Sequence, residues 1–279
     1  MLPESLPSHD ELKAKAAATY NAAADSYDAP ANTFWARFGA RTVDRLGLRP
    51  GMRVLDVCSG TGASAIPAAQ AVGPTGRVIA VDLAANLLAR LRAKADGLGL
   101  AQLETRTGDL LDPPVAAGET FDAVVCVFGI FFLADMAEGI RSLWRRVAPD
   151  GQLAITTWGR DVFEPADSIF WNAVRRERPE LYKKFSPWDA ITTPDGLAAL
   201  FAVAEVPDAR IVAEAATHPL STQAAALALI MGSGYRGTIE RLTAGERSRV
   251  EARYLADLAA RQTTEITADV LYAVARKQA

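Results

Sequence analysis

From Arg53 onward, short apolar runs alternate with stretches whose apolar residues recur every three or four positions. That pattern predicts strands joined by helices into a parallel sheet. The predicted strands cover 53–57, 77–82, 102–107, 121–127 and 151–158, with helices near 63–72, 84–97 and 136–147. Pro50-Gly51, Gly73-Pro74 and Pro149-Asp150-Gly151 supply the breaks between them. Upstream, Leu12, Ala16, Tyr20, Ala23 and Tyr27 fall at helical spacing, and a second helix is predicted from Thr33 to Leu46, so residues 1–50 read as a helical cap on a 51–159 core. The alternation stops after Trp158. Residues 160–205 carry Phe163, Phe170, Trp171, Tyr182, Phe185 and Trp188 among charges, and read as a helical insertion over the sheet. Two last strands are predicted at 209–216 and 264–275, separated by a helical stretch over 221–261. The fold class that follows is α/β: a Rossmann-like, seven-stranded, mostly parallel sheet in a single domain, with helices on both faces and helical lids at 160–205 and 221–261.

Composition narrows the function. With 279 residues, half of them hydrophobic, and a formal net charge of −3, the chain has an ordinary globular balance. Nucleic-acid binding calls for a basic surplus or stripe. Arg175-Arg176-Glu177-Arg178 and Lys183-Lys184 are the nearest approach, and they read as solvated helix faces. No nucleic-acid partner and no membrane partner is expected. The start Met1-Leu2-Pro3-Glu4 lacks the basic and apolar regions of a secretory signal, and no apolar run has membrane-spanning length, so a cytoplasmic location is expected. Cys58 and Cys126 each sit in an apolar strand-like segment rather than in a metal-ligand spacing, so no metal is expected.

Candidate chemistry concentrates at strand ends. Val54-Leu55-Asp56-Val57-Cys58-Ser59-Gly60-Thr61-Gly62 runs from a strand into a turn of small residues that lets a ligand approach the backbone. Gly60-Thr61-Gly62-Ala63-Ser64-Ala65 also satisfies the alanine-ended dinucleotide fingerprint, which keeps an NAD-dependent oxidoreductase open. Against it, a carboxylate at Asp56 would repel a pyrophosphate but would serve an ammonium, directly or through water. Asp82 ends the second strand, where a ribose diol is held. Asp109 follows the third strand and can accept from an adenine amine, while Leu110 covers the ring. Taken singly, each aspartate could be a helix cap or a turn residue. Together they line consecutive strand ends, where open parallel sheets bind ligands.

Asp56-x-Cys-Ser-Gly-Thr-Gly62, Asp82, Gly108-Asp109 and Phe121-Asp122-Ala-Val-Val-Cys-Val127 resemble the successive motifs of class I S-adenosylmethionine (SAM)-dependent methyltransferases over roughly residues 10–160. The stretch Tyr20-Asn-Ala-Ala-Ala-Asp-Ser-Tyr27-Asp28 is similar to the tyrosine-bearing helix of the ubiquinone/menaquinone-biosynthesis type, a helix that commonly closes over the cofactor. The resemblance implies SAM as cofactor and a small-molecule methyl acceptor. It places Tyr20, Tyr27, Asp56, Cys58, Ser59, Gly60, Gly62, Asp82, Leu83, Asp109, Leu110, Val127 and Phe128 around the cofactor. The family often has glycine where this chain has Cys58. The expectation here is a small buried packing residue whose backbone avoids the left-handed region.

Methyl transfer needs an aligned nucleophile and, for some acceptors, a base. Family members that carry a histidine just beyond strand four would have it where this chain has Phe131-Phe132, which suggests an apolar wall instead. His9 lies in the N-terminal tail, leaving His218 as the candidate general base; its commoner role at such a position is a hydrogen bond to loop backbone. Tyr27 and Tyr235 read as packing or cofactor cover. A protein that keeps the SAM site without transferring a methyl group is the third function class.

Overall fold

The computed structural model describes residues 9–220 and 222–278. Residues 1–8, on which the expectation about a secretory signal rests, lie outside them, as do Ser221, Ala279 and the side chains of His9, Asp10 and Leu12. Two helices, α1 (His9–Tyr27) and α2 (Phe34–Asp44), precede the sheet. The core then runs β1 (Arg53–Val57), α3 (Ala65–Val72), β2 (Arg77–Asp82), α4 (Ala85–Gly97), β3 (Leu103–Thr107), β4 (Phe121–Val127), α5 (Met136–Arg145) and β5 (Val147–Trp158). It continues through α6 (Ala166–Glu177), α7 (Pro194–Val203), β6 (Arg210–Glu214), β7 (Thr217–Pro219), α8 (Gln223–Met231), α9 (Arg236–Ile239), α10 (Ala244–Ala260), β8 (Glu265–Thr267) and β9 (Val270–Arg276).

Seven strands form one sheet in the order β3-β2-β1-β4-β5-β9-β6, and only β9 is antiparallel to its neighbours. The central strands are near-continuous runs of aliphatic residues because helices cover both their faces. Val54, Leu55, Val57, Val78, Ile79, Val81, Val124 and Val125 are fully buried. Strand order reverses between β1 and β4, and such a reversal opens a crevice at the carboxyl ends of the two strands.

Three features differ from the expected ones. β5 starts at Val147 because Val147 pairs with Phe121 ahead of a bulge, before Asp150 and Gly151 carry the chain on. Both terminal strands break: β7 and β8 form a separate two-stranded ladder. At that break the Asp269 carboxylate accepts from Ala216 N (2.9 Å) and its carbonyl accepts from Gly159 N (2.6 Å), which fixes a bend in place of a straight hairpin. Within the expected 160–205 insertion, α7 instead packs on α5 and β6 as a layer of the core, while α6 packs on α10. Thr193 with Pro194 starts α7, and Thr243 with Glu246 forms a reciprocal capping box on α10. Among the described residues no helix is long and apolar enough to cross a membrane, and no His, Cys, Asp and Glu group could hold a metal ion.

Candidate active site

The crevice between β1 and β4 is flanked by two residues in the left-handed region, Cys58 (φ +56°) and Phe128 (φ +53°). Cys58 therefore takes the conformation usually left to glycine, contrary to the expectation that it would avoid it. Space explains how: a Cβ at Gly129 would lie 2.4 Å from Cys58 Cβ and 2.6 Å from its sulfur, so the missing side chain at 129 accommodates the one at 58. Left-handed backbone at side-chain-bearing residues costs about 1–3 kcal/mol and clusters at functional sites. The Cys58 thiol is pushed well up by its hydrogen bond to Cys126 and by burial, so it stays protonated, in keeping with a packing role.

Asp82 accepts from Gly60 N (2.8 Å) at one oxygen and from Ala84 N (2.8 Å) at the other, which ties the glycine turn to the end of β2. Each oxygen keeps a further lone pair for a ribose hydroxyl. Burial nevertheless raises its carboxyl above the usual range. Asp109 faces α1, where it pairs with Lys13 (2.9 Å), and it also accepts from Leu111 N. Asp56 lies underneath, fully buried. One oxygen accepts from Ser64 Oγ (2.7 Å), and the other has no partner among the described residues. Burial pushes its carboxyl up to about 7.

A cavity of about 570 Å3 opens over these groups, within the range of small-molecule sites. Of the expected cofactor residues, Tyr20, Tyr27, Cys58, Gly60, Asp82, Leu83, Asp109, Leu110, Val127 and Phe128 line it. Asp56, Ser59 and Gly62 do not: Asp56 and Ser59 are buried beside it, and Gly62 (φ +95°) gives Leu91 of α4 room, since a Cβ there would meet Leu91 at 2.3 Å. α1 forms the roof, docked on α4 by Asn21 accepting from Asn86 N (2.9 Å). Tyr27 stacks on Trp35 (5.0 Å), and Tyr20 meets Phe132 edge-on (5.6 Å). The opposite wall is aromatic: Phe128 stacks on Trp158 (3.9 Å), Trp158 meets Phe163 (5.1 Å), and Ser233 and Tyr235 close that end. Sequence reasoning missed Trp35 and Trp158 as cavity residues; their positions inside a helix and a strand read equally well as core.

His218 is buried in β7, its Nε2 2.5 Å from the Ala31 carbonyl oxygen and its ring edge-on to Phe34. It is not among the residues lining the cavity, and it makes the loop-backbone contact that was its commoner reading.

The residues fit a polar, cationic nucleoside ligand. Unpartnered polar atoms gather around the cavity: Asp56 Oδ1 and Ser59 Oγ beside it, Trp35 Nε1 and Ser233 Oγ on residues that line it. Such groups are costly when buried and unpaired.

Residues 54–151 match a family model described as a methyltransferase domain. The nocamycin O-methyltransferase of Saccharothrix syringae is 35% identical over 130 residues, 47% of this chain and 46% of that protein. The ubiquinone/menaquinone biosynthesis C-methyltransferase UbiE of Haemophilus ducreyi is 29% identical over 154 residues, 55% and 58% of the two chains. The chain thus spans about half the length of these curated relatives. A solved structure of Haemonchus contortus phosphoethanolamine N-methyltransferase 2 superposes with a TM-score of 0.57 at 15% identity, covering 98% of this chain and 61% of that one. The chain is thus similar to methyltransferase domains over residues 54–151, and its mostly parallel seven-stranded α/β sheet shares the fold of that solved structure.

Proposed function

We propose that this protein transfers the methyl group of SAM to a small-molecule acceptor and releases S-adenosylhomocysteine. One observation carries the reading: a single cavity joins the Gly60 turn, Asp82 and Asp109 at one end to the aromatic wall at Phe128, Trp158 and Phe163 at the other. Asp82 and Asp109 would hold the ribose and adenine, and the unpartnered Asp56 oxygen, buried beside the cavity, would meet an ammonium through water. When bound, SAM supplies an electrophilic methyl on a sulfonium. The protein's part is to align the acceptor, exclude water and, where the acceptor needs it, take a proton.

The NAD reading loses its physical support, because a pyrophosphate needs the amides of the glycine turn and Gly60 N is already donated to Asp82. Calorimetric titration with SAM, S-adenosylhomocysteine and NAD tests the choice. Binding of the first two without NAD is expected; binding of NAD alone removes the proposal. Label from [methyl-3H]SAM recovered in a small product would separate methyl transfer from SAM binding without transfer.

A further inference from the structure

The cavity has one titratable pair that the cofactor does not use. Tyr235, 7% exposed, lines its acceptor end, and its hydroxyl donates to the Asp167 carboxylate in the first turn of α6. The same Asp167 oxygen accepts from Trp171 Nε1 at 3.1 Å. Asp167 also lines a second, polar chamber of about 600 Å3 behind that wall, where it meets solvent, while Tyr235 lines only the aromatic side. The Tyr235–Asp167 hydrogen bond therefore links an apolar chamber to a wet one.

Resting on the methyltransferase reading, we propose that Tyr235 and Asp167 form a proton relay for an acceptor hydroxyl on a planar aromatic or enolic ring, making this an O-methylating site. The acceptor O–H donates to the Tyr235 oxygen as the Tyr235 proton passes to Asp167. The acceptor oxygen then bonds to the methyl carbon while the carbon–sulfur bond breaks, so Tyr235 ends neutral, Asp167 protonated and S-adenosylhomocysteine uncharged at sulfur. Asp167 loses its proton to water in the polar chamber. Tyr235 is the group that touches the acceptor; Asp167 acts through it. The ring class follows from the aromatic wall of Phe128, Trp158 and Phe163, and the hydroxyl from the presence of a proton acceptor that a neutral amine would not need.

The charges around the pair suit that task. Burial pushes the Asp167 carboxyl up to about 6, against the lowering hydrogen bond from Tyr235 and with further raising by Glu164 and Asp189. Arg160, Asp161, Lys183 and Lys184 face the same polar chamber. Tyr254 of α10 neighbours the pair, and its phenol, like that of Tyr235, is held protonated, by burial first and then by Asp167. Asp167 is thus ionised at neutral pH yet basic enough to accept a proton.

The test uses two probes: 1-naphthol, protonated at neutral pH, and 4-nitro-1-naphthol, already ionised there. Wild type, Tyr235→Phe and Asp167→Asn are compared at saturating SAM, with S-adenosylhomocysteine affinity measured on each. Both variants are expected to keep that affinity and to lose about 10²–10⁴-fold on 1-naphthol, while methylation of 4-nitro-1-naphthol is nearly unchanged. Wild-type turnover of 1-naphthol should rise with pH through about 6, and Asp167→Asn should lack that limb. A readout independent of turnover is 13C NMR of the aspartate carboxyls. One carboxyl titrating near 6 should vanish in Asp167→Asn and move to higher pH in Tyr235→Phe, which removes a lowering hydrogen bond. Equal losses on both probes, an unchanged pH limb in Asp167→Asn, or no methylation of either probe by wild type that binds SAM overturns the relay. Failure of wild type to bind SAM strikes the methyltransferase reading instead.

Discussion

Cys58 and Gly129 show how two residues settle a turn between them. The left-handed backbone at Cys58 puts its sulfur where a side chain at 129 would stand. Gly129→Ala should therefore cost about 1–3 kcal/mol, the scale of overpacking a filled site. In a denaturant-unfolding cycle with Cys58→Gly, the two substitutions should couple by about 0.5–3 kcal/mol, with the double variant recovering stability; simple additivity would show that the two sites do not share the space. Asp82 is the second residue-scale case. Asp82→Ala strips the carboxylate that ties Gly60 N and Ala84 N and that the proposed function gives to the ribose, so we expect S-adenosylhomocysteine binding to weaken by about 1.5–3 kcal/mol by calorimetry. Unchanged affinity in a folded variant would take Asp82 out of the site. At His218 the geometry favours support over catalysis: His218→Ala should lower Tm through the lost Ala31 contact and leave single-turnover rates close to wild type. A loss of about 10²–10⁴-fold with stability intact would return the base role to it.

Whole elements explain which features could be read from the sequence and which could not. Strands β1, β2 and β4 were legible because buried parallel strands write aliphatic runs; of the three aspartates, Asp82 and Asp109 come at strand ends and line the cavity, whereas Asp56, inside β1, is buried beside it. The kinked β6/β7 and β8/β9 edges were not legible: the bend depends on Asp269 meeting Ala216 and Gly159, a contact between segments far apart in sequence. The same holds for α7, whose apolar residues match a lid helix as well as a core layer until α5 is seen against it. The Tyr235–Asp167 pair escaped notice because 68 positions separate its members. At this scale α1 is the element to watch. It roofs the cavity with Tyr20 and Tyr27 and reaches α4 through Asn21. Hydrogen exchange should slow in α1 on adding S-adenosylhomocysteine, and in α6 and α8–α10 only when an acceptor is added as well. Unchanged exchange in α1 would remove its role as a cofactor cover.

For the molecule as a whole, the buried acids set how stability follows pH. Asp56 and Asp167 carry carboxyls raised to about 7 and about 6, and Asp82 is raised as well, each chiefly by burial. A group whose folded pKa exceeds its unfolded value contributes stability that is complete below the unfolded value and is lost as pH rises through the folded one. For these acids the window runs upward from the unfolded value of 3.8 to about 6 for Asp167 and about 7 for Asp56. His218 works the other way: burial depresses its folded pKa below 6.5, so its share is lost as pH falls. Lys183, whose pKa burial also depresses, has the same sign in a window that ends at its ordinary value of 10.5. The exposed ion pairs that lower Glu104 and Glu138 act near and below pH 4.5 and are screened by solvent. The ligand-free protein should therefore melt higher at pH 5.5 than at pH 8, and Asp56→Asn, which needs no charge in that site, should narrow the gap by raising Tm at pH 8. A bound SAM or S-adenosylhomocysteine ammonium favours the ionised acid, so the rise in Tm on adding S-adenosylhomocysteine should be larger at pH 8 than at pH 5.5 in wild type and nearly pH-independent in Asp56→Asn. Thermal melts of both proteins at the two pH values, with and without S-adenosylhomocysteine, give the answer. If the ligand-free wild type melts higher at pH 8, or if Asp56→Asn keeps the full pH dependence of the ligand shift, the carboxylate under the glycine turn is not the group that meets the ammonium.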